Sequence, residues 1–277
     1  MAEIITKTFQ SKGGKLVYHK LVGKNKDLTI IYIHGLAPIS SLYIEMFADQ
    51  YHEFSLSEYS FLIPNLIGFG ESEKPDNLEV YTMENQGHYL HDLLLSENVH
   101  NVIIIAISMG GPVAISLIDK IKNQKDEDIK VKGLFYLEGN LDKNDTFFSS
   151  RITKYPFEQF KEHFDLWIDD LIKRSNKENV EFLEGYRALG PYSVWGSAYD
   201  IVILSESNKL LPHLMQLSDF PMYFVFGEKN KGRFTSESLV KKANLPIIYI
   251  PNAGHAMRHD NPEDFWKVIK KLLKTCF

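Results

Sequence analysis

The sequence contains a single cysteine, Cys276, and this scarcity excludes an internal disulfide. Its longest uninterrupted apolar run, residues 102–107, has the length of a strand and falls far short of the ~18 residues that suggest a membrane span. No basic excess is present, because 31 Lys and Arg stand against 36 Asp and Glu, which gives a net charge of -5. That balance argues against electrostatic binding of nucleic acid. We therefore expect neither a nucleic-acid partner nor a membrane span.

Several sequence motifs are also missing. The first ten residues show no apolar segment behind a basic start, so we expect no signal peptide. A single cysteine suits a reducing compartment, so we expect a cytoplasmic location. The chain has no H-E-x-x-H, no C-x-x-C and no Walker A loop, and residues 68–70 lack the third glycine of a dinucleotide fingerprint. We expect no metal and no organic cofactor. His88 and His91 are expected on a solvated helix face, and the oligomeric state stays open.

Short apolar runs alternate with longer amphipathic stretches along most of the chain. Such alternation predicts an α/β fold, a doubly wound and mostly parallel sheet covered on both faces. Residues 4–9 and 15–22 alternate more clearly and predict an antiparallel hairpin at one edge. The predicted buried strands are 28–33, 60–64, 101–107, 133–137, 222–226 and 246–250. The predicted helices between them are 43–53, 82–96, 112–123, 235–243 and 262–274.

The segment from residue 140 to 213 breaks this rhythm, because it contains no run typical of a buried strand. Residues 157–175 carry apolar side chains at three- and four-residue spacing, which predicts a helix with one apolar face. Residues 178–189 and 192–204 predict two more helices, separated by Gly190-Pro191. We expect a helical cap at 140–213, inserted into a core formed by 1–139 and 214–277.

The strongest chemical signal is the stretch 101–118, in which a buried strand runs into a helix at Ser108. Small residues flank this serine two positions away, at Ala106 and Gly110, and Gly111 and Pro112 follow. A sharp strand-to-helix turn needs small residues there, and it exposes one side chain at the carboxyl end of the sheet. We interpret Ser108 as a nucleophile; the first position of the usual G-x-S-x-G pattern is alanine here.

A second signal is the His34-Gly35 pair at the end of another buried strand. The glycine lets the following backbone bend inward, so that the N–H groups of Leu36 and Met109 can meet a developing oxyanion. His34 itself is expected to pack beneath the loop as a structural residue.

A third signal follows the last predicted strand, where residues 252–254 lead to His255. A histidine on that loop can reach the nucleophile without disturbing the sheet. His259 lies four residues further on, but the adjoining Asp260-Asn261-Pro262 places it at a solvated helix entry. We favour His255 as the general base.

Taken together, these segments resemble the α/β-hydrolase superfamily, in particular its capped esterase and C–C hydrolase-like branch. The resemblance implies an eight-stranded sheet with one antiparallel strand, a helical cap after strand six and a Ser-His-acid triad. It also implies that Ser108 is the nucleophile, His255 the base, and Leu36 and Met109 the oxyanion donors. The segments that carry it span nearly the whole chain: 34–35, 64–75, 106–111, 226–230 and 253–265.

The acid departs from the pattern of many relatives, which place an aspartate after strand seven. Here that position is Asn230, and an amide carries no negative charge to stabilise an imidazolium. Glu138 ends a buried strand, where a carboxylate needs a partner, and it keeps the order Ser, acid, His. We favour Glu138. The alternatives are Glu228, Asp142 and Asp145, or the absence of an acid.

These residues predict a serine hydrolase that acts through an acyl-enzyme on a small, apolar or aromatic carboxylic ester. Three cap residues are expected to bind the substrate: Trp167, Tyr192 and Trp195. The same motifs also fit a lactone or C–C bond hydrolase, or a cofactor-free haloperoxidase or perhydrolase. The alternative from another class is a small-molecule receptor with vestigial turnover.

Overall fold

The computed structural model describes residues 4–124 and 128–276, within which eight strands form one sheet. The strands are β1 (Ile5–Ser11), β2 (Gly14–Leu21), β3 (Thr29–Ile33), β4 (Ser60–Asn65), β5 (Asn101–Ile107), β6 (Lys130–Leu137), β7 (Met222–Gly227) and β8 (Ile247–Ile250). Their order is β1-β2-β4-β3-β5-β6-β7-β8. Strand β2 is antiparallel to both of its neighbours, and the other pairs are parallel. The predicted fold class is confirmed.

Helices cover both faces of this sheet. The α-helices are α1 (Ser41–Glu53), α2 (Met83–Ser96), α3 (Gly110–Asn123), α4 (Ser149–Ile152), α5 (Phe157–Glu162), α6 (Phe164–Lys173), α7 (Val180–Glu206), α8 (Leu210–Leu217), α9 (Thr235–Lys242), α10 (Met257–Asp260) and α11 (Pro262–Leu273). Helices α1 and α11 pack on one face, whereas α2, α3, α8 and α9 pack on the other. Within the described ranges, no helix is both long and apolar enough to cross a membrane.

The central strands are buried along nearly their whole length. Every residue of β4 is buried, and in β5 only the first and last residues are partly exposed. Such strands need apolar side chains on both faces, which is why they read in the sequence as continuous apolar runs. Because β3, β5, β6, β7 and β8 pair in parallel, their carboxyl ends meet along one edge of the sheet.

The described chain between β6 and β7 is helical, as the sequence analysis predicts for an insertion after strand six. A short 3-10 helix at Lys143–Thr146 is followed by α4, α5, α6, α7 and α8. The predicted cap boundary at residue 213 falls inside α8. The division of the chain into a core and a cap domain stays a prediction.

One helix prediction for the insertion is wrong, and another agrees with the structure. The single helix expected over residues 157–175 is interrupted at His163, between α5 and α6. The two helices expected on either side of Gly190-Pro191 meet at a kink within α7, where Gly190 has φ of 79° and a non-helical backbone.

The placement of His91 on a solvated helix face is also wrong. His91 lies on the inner face of α2 with 3% of its surface exposed, and its Nδ1 atom is 3.2 Å from Asp92. Leu90, Leu93 and Leu94 share this burial, so the apolar face of α2 is wide enough to include the imidazole. Among residues 4–124 and 128–276, no three His, Cys, Asp or Glu side chains group in a way that would hold a metal ion.

Candidate active site

Ser108 occupies a strained turn between β5 and α3. Its φ is 55°, a left-handed conformation that is unfavourable for a residue with a Cβ atom. The neighbouring backbones approach so closely that a Cβ at Gly110 would lie 2.5 Å from the carbonyl oxygen of Ile33. The Ser108 N–H donates to the carbonyl of Leu137 at 3.0 Å, which fixes the turn against the next strand. The turn leaves the Ser108 side chain partly exposed at the carboxyl edge of the sheet.

The loop after β3 lies directly against this serine. A Cβ added to Gly35 would be 3.0 Å from the Ser108 Cβ and 3.5 Å from its Oγ, so a side chain there would crowd the hydroxyl. The N–H groups of Leu36 and Met109 donate no hydrogen bond to other groups in the described ranges. Two uncommitted amides beside a partly buried hydroxyl are what an oxyanion requires.

His34 stabilises this loop and is not positioned as a base. Its side chain is 3% exposed, and its Nδ1 lies 2.7 Å from the Gly35 carbonyl oxygen. The Leu66 N–H donates to Nε2 at 3.1 Å, so both ring nitrogens are occupied. Burial lowers the pKa of His34 to about 4, which keeps the ring neutral. The histidine therefore joins the loop to the end of β4, as expected for a structural residue.

The insertion between β6 and β7 reaches the same loop through Tyr186 on α7. The phenol is 3% exposed, and it donates to the Leu36 carbonyl oxygen at 2.9 Å. One residue earlier, Gly185 packs against Pro38, because a Cβ on that glycine would be 2.7 Å from the proline ring. The sequence analysis missed Tyr186, and no motif marks it. Its contact crosses 150 residues of chain.

His255 and Glu138 are in hydrogen-bond contact. The Glu138 Oε2 atom lies 2.7 Å from the His255 Nδ1 atom. The Glu138 side chain is fully buried, whereas the imidazole is 44% exposed. The contact occupies Nδ1 and leaves Nε2 as the ring nitrogen available to another partner.

The loop that carries His255 is held by hydrogen bonds at the two residues that precede it. The Gly254 N–H donates to Asp260 at 2.7 Å, and the Lys229 N–H donates to the carbonyl of Ala253 at 2.9 Å. The imidazole is thus held at the carboxyl edge of the sheet while its free face remains open to solvent. This placement agrees with the interpretation of His255 as the base, which stays a prediction.

The alternatives on neighbouring segments lie elsewhere. Glu228 is exposed, and its Oε2 accepts the Asn252 N–H at 3.0 Å. The His259 side chain is 73% exposed, with its Nδ1 atom 4.0 Å from Asp260. In the described part of the chain, neither Glu228 nor His259 contacts Glu138, His255 or Ser108.

Asp142 and Asp145 connect the start of the insertion to α9. The Thr235 hydroxyl lies within hydrogen-bond distance of both Asp142 oxygens, at 2.8 and 2.6 Å, and the Ser236 hydroxyl donates to Asp145 at 2.8 Å. Asp145 also accepts the Leu141 N–H at 2.8 Å. Burial raises the pKa of Asp145 to about 6. Both carboxylates therefore serve as local anchors, and their contacts do not include His255.

The three aromatic residues expected to bind substrate lie in two places. Trp167 is partly buried and packs edge-on against Tyr186, with ring centroids 5.9 Å apart, so one residue joins it to the loop after β3. Tyr192 accepts from Lys161 at 2.9 Å. Trp195 donates to the Tyr155 carbonyl at 3.1 Å. The contacts of Tyr192 and Trp195 are with other residues of the insertion, and their binding role stays a prediction.

Comparison with known proteins agrees with this architecture. A family model described as alpha/beta hydrolase fold matches residues 29–177, more than half of the chain. Lipase 1 of Psychrobacter immobilis is 32% identical over 107 residues, which cover 38% of this chain and 31% of the lipase.

Solved structures resemble the whole chain at low identity. An esterase from Exiguobacterium antarcticum has a TM-score of 0.72 at 15% identity, and the match covers 98% of this chain and 100% of the esterase. A thermophilic esterase from Thermogutta terrifontis has a TM-score of 0.70 at 21% identity, with 99% of each chain covered. An epoxide hydrolase and haloalkane dehalogenases share the fold as well. At such identities the likeness shows the fold alone, whereas the family model covers more than half of the sequence itself. The chain belongs to the alpha/beta hydrolase fold family.

Proposed function

We propose that the protein is a serine hydrolase that cleaves a small carboxylic ester, with an apolar or aromatic acyl group, through an acyl-enzyme. The observation that carries the proposal is the 2.7 Å contact between Glu138 and His255. Ser108 occupies a left-handed turn, and its N–H donates to the carbonyl of Leu137, the residue before Glu138. Family membership and the partial similarity to a lipase support hydrolysis as the reaction class. The chemistry of such a triad needs no metal or organic cofactor.

In the proposed mechanism, Ser108 attacks the substrate carbonyl while His255 removes the hydroxyl proton through Nε2. Glu138 stabilises the resulting imidazolium through Nδ1–H. The N–H groups of Leu36 and Met109 hold the oxyanion of the tetrahedral intermediate. His255 then protonates the leaving alcohol and activates the water that releases the acid.

The nucleophile type favours a carbonyl substrate over an alkyl one. Attack by Ser108 on a carbonyl gives an ester, which water activated by His255 can hydrolyse. Attack on an alkyl halide or an epoxide would give an ether at the serine, and an ether is stable to such a water molecule. Because the His255 imidazole is 44% exposed, water can reach the position where it must act.

The division into a core (1–139 and 214–277) and a cap (140–213) belongs to the same proposal. The insertion is anchored at several points, including Asp200 on α7, which accepts the Met83 N–H at the start of α2 at 2.6 Å. A negative side chain at a helix N-terminus stabilises that terminus. We expect this anchored cap to roof the site on the Leu36 side and to select the acyl group.

Labelling with a fluorophosphonate probe tests the proposal. The wild-type protein should become labelled at Ser108, and Ser108→Ala should remain unlabelled under the same conditions. A series of p-nitrophenyl esters, lactones and amides should then show multiple turnovers, fastest with esters. Release of at most one equivalent of product would instead identify a receptor with vestigial chemistry. Labelling at another residue would refute Ser108 as the nucleophile.

A further inference from the structure

The side chain of Asn230 contacts the candidate acid. Asn230 follows β7 in a short 3-10 helix at Glu228–Asn230, and its Nδ2 atom lies 3.1 Å from Glu138 Oε1 and 3.0 Å from Oε2. The Gly227 N–H donates to Oε1 at 2.8 Å. With His255 on Oε2, three residues surround a carboxylate that is fully buried. Every one of these partners can donate a hydrogen bond, and none of them carries a negative charge.

We propose that Asn230 is a positioning residue that keeps Glu138 ionised and oriented, and thereby fixes which nitrogen of His255 carries the proton. The inference rests on the proposed function. Hydrogen bonds to a carboxylate favour its charged form and compensate for the loss of solvent. An ionised carboxylate can only accept hydrogen bonds. If the donors at Gly227 and Asn230 keep Glu138 ionised, His255 must donate to it, so its proton lies on Nδ1. The amide of Asn230 thus acts on the base through Glu138 and touches no reacting atom.

The same contact explains why an amide suits position 230. An aspartate there would place a second carboxylate about 3 Å from Glu138, where two ionised carboxylates repel each other. When both are ionised, the additional negative charge stabilises the imidazolium form of His255, so the base becomes available only at higher pH.

Other ionisable groups on the adjoining segments have different partners or face solvent. Glu228 accepts from Asn252, Asp260 accepts from Gly254, and Lys229 is exposed. Arg258, on α10, donates to Gln50. Asp142 and Asp145 bind the hydroxyls of α9. Among the described residues, His255 is therefore the only titratable group in contact with the Glu138 carboxylate. The other side chain that contacts this carboxylate is Asn230, which donates to it.

The test combines two substitutions with a readout that does not depend on turnover. In protein labelled with ¹⁵N-histidine, the low-field Nδ1–H resonance of His255, assigned by its loss in His255→Ala, reports the bond to Glu138. We expect Asn230→Ala to weaken or abolish this resonance and to lower kcat about 10-fold or more, with KM changed less than about 3-fold. We expect Asn230→Asp to raise the midpoint of the His255 titration, and of the pH dependence of kcat/KM, by about one unit or more.

Asn144→Ala is the matched control. Asn144 is an exposed asparagine whose amide donates to Thr235 at 3.1 Å, away from Glu138. It should leave the His255 resonance, kcat and the pH profile unchanged.

The outcomes separate this inference from the proposed function. If the wild-type protein turns over esters and both Asn230 variants match it in resonance and pH profile, Asn230 has no positioning role and the function stands. If the His255 resonance responds as expected while no ester is hydrolysed, the positioning role stands and the function fails. A lower kcat in Asn230→Ala with an unchanged resonance would reduce Asn230 to a structural residue and overturn the inference.

Discussion

The hydrogen bond between Tyr186 and the Leu36 carbonyl leads to a prediction that joins the cap to the chemistry. Tyr186→Phe removes only the hydroxyl that lies 2.9 Å from that carbonyl oxygen. The ring keeps its packing against Phe148, Trp167 and Phe182, whose centroids lie 5.9–6.0 Å away. The substitution therefore opens no cavity, and its effect isolates a single contact.

The expected magnitude follows from the burial of that contact. Tyr186 is 3% exposed, so the carbonyl that loses the phenol gains little access to water in return. Loss of one such hydrogen bond costs about 1–2 kcal/mol of unfolding free energy, which lowers Tm by about 2–6 °C in a chain of this size. The loop remains held by His34 and by the contact of Pro38 with Gly185. We therefore expect kcat to fall about 10-fold, less than the 10²–10³ typical when an oxyanion donor is removed outright.

Thermal unfolding and steady-state hydrolysis of p-nitrophenyl butyrate measure the two effects separately. The control is Tyr199→Phe, which removes a hydroxyl from the same helix at a side chain that is 47% exposed and stacked on Trp195. It should change neither Tm nor kcat appreciably. If Tyr186→Phe lowers Tm but leaves kcat at the wild-type value, the contact between the insertion and the loop after β3 does not affect catalysis, and the reasoning is refuted.

Three further predictions concern the proposed nucleophile, the insertion and the proposed acyl site. Ser108→Ala should lower kcat by about 10⁴–10⁶ with an unchanged circular-dichroism spectrum; more than a few per cent residual activity would contradict the assignment. Burial raises the pKa of Asp145 from 3.8 to about 6, so the stability that its protonated form contributes is present below pH 3.8 and lost as pH rises through 6. Asp145→Asn should not show this loss, which amounts to up to about 3 kcal/mol of unfolding free energy between pH 4 and 7 when measured by urea unfolding. If the unfolding free energies of the two proteins depend on pH in the same way, the prediction is contradicted. Trp167→Leu should change the ratio of kcat/KM for butyryl and octanoyl esters, and an unaltered ratio would exclude Trp167 from the acyl site.

The sheet was predictable because its signals are local. Runs such as residues 101–107 are apolar throughout, as a strand buried on both faces must be, and the strand-to-helix turn at Ser108 is marked by the small residues around it. The wrong prediction at His91 arises because burial there depends on tertiary packing and not on a local signal. A polar residue on an amphipathic helix reads as exposed, and only the tertiary structure shows that the apolar face of α2 extends over it.

The contacts that complete the site join residues distant in sequence. Asn230 reads as a departure from a pattern, and its pairing with Glu138 depends on how the ends of β6 and β7 are aligned, 92 residues apart in sequence. Tyr186 reads as one aromatic residue among many in the insertion. Its hydrogen bond to Leu36 depends on where α7 lies relative to the loop after β3, and local propensity does not determine that placement. The turn at Ser108 was therefore predictable from the sequence, whereas the contacts of Asn230 and Tyr186 required the assembled structure.

The left-handed backbone at Ser108 limits how far this protein can be stabilised by substitution. Glu138 shares the feature, with φ of 39° against 55° for the serine, so two neighbouring strands end in strained residues. Such conformations cost on the order of 1–3 kcal/mol each, and glycine would relieve the strain. A selection for thermal tolerance alone would therefore favour glycine at both positions, and each such gain would remove a side chain that the proposed reaction requires. Heat-resistant variants recovered without a screen for activity should be enriched in these inactivating changes.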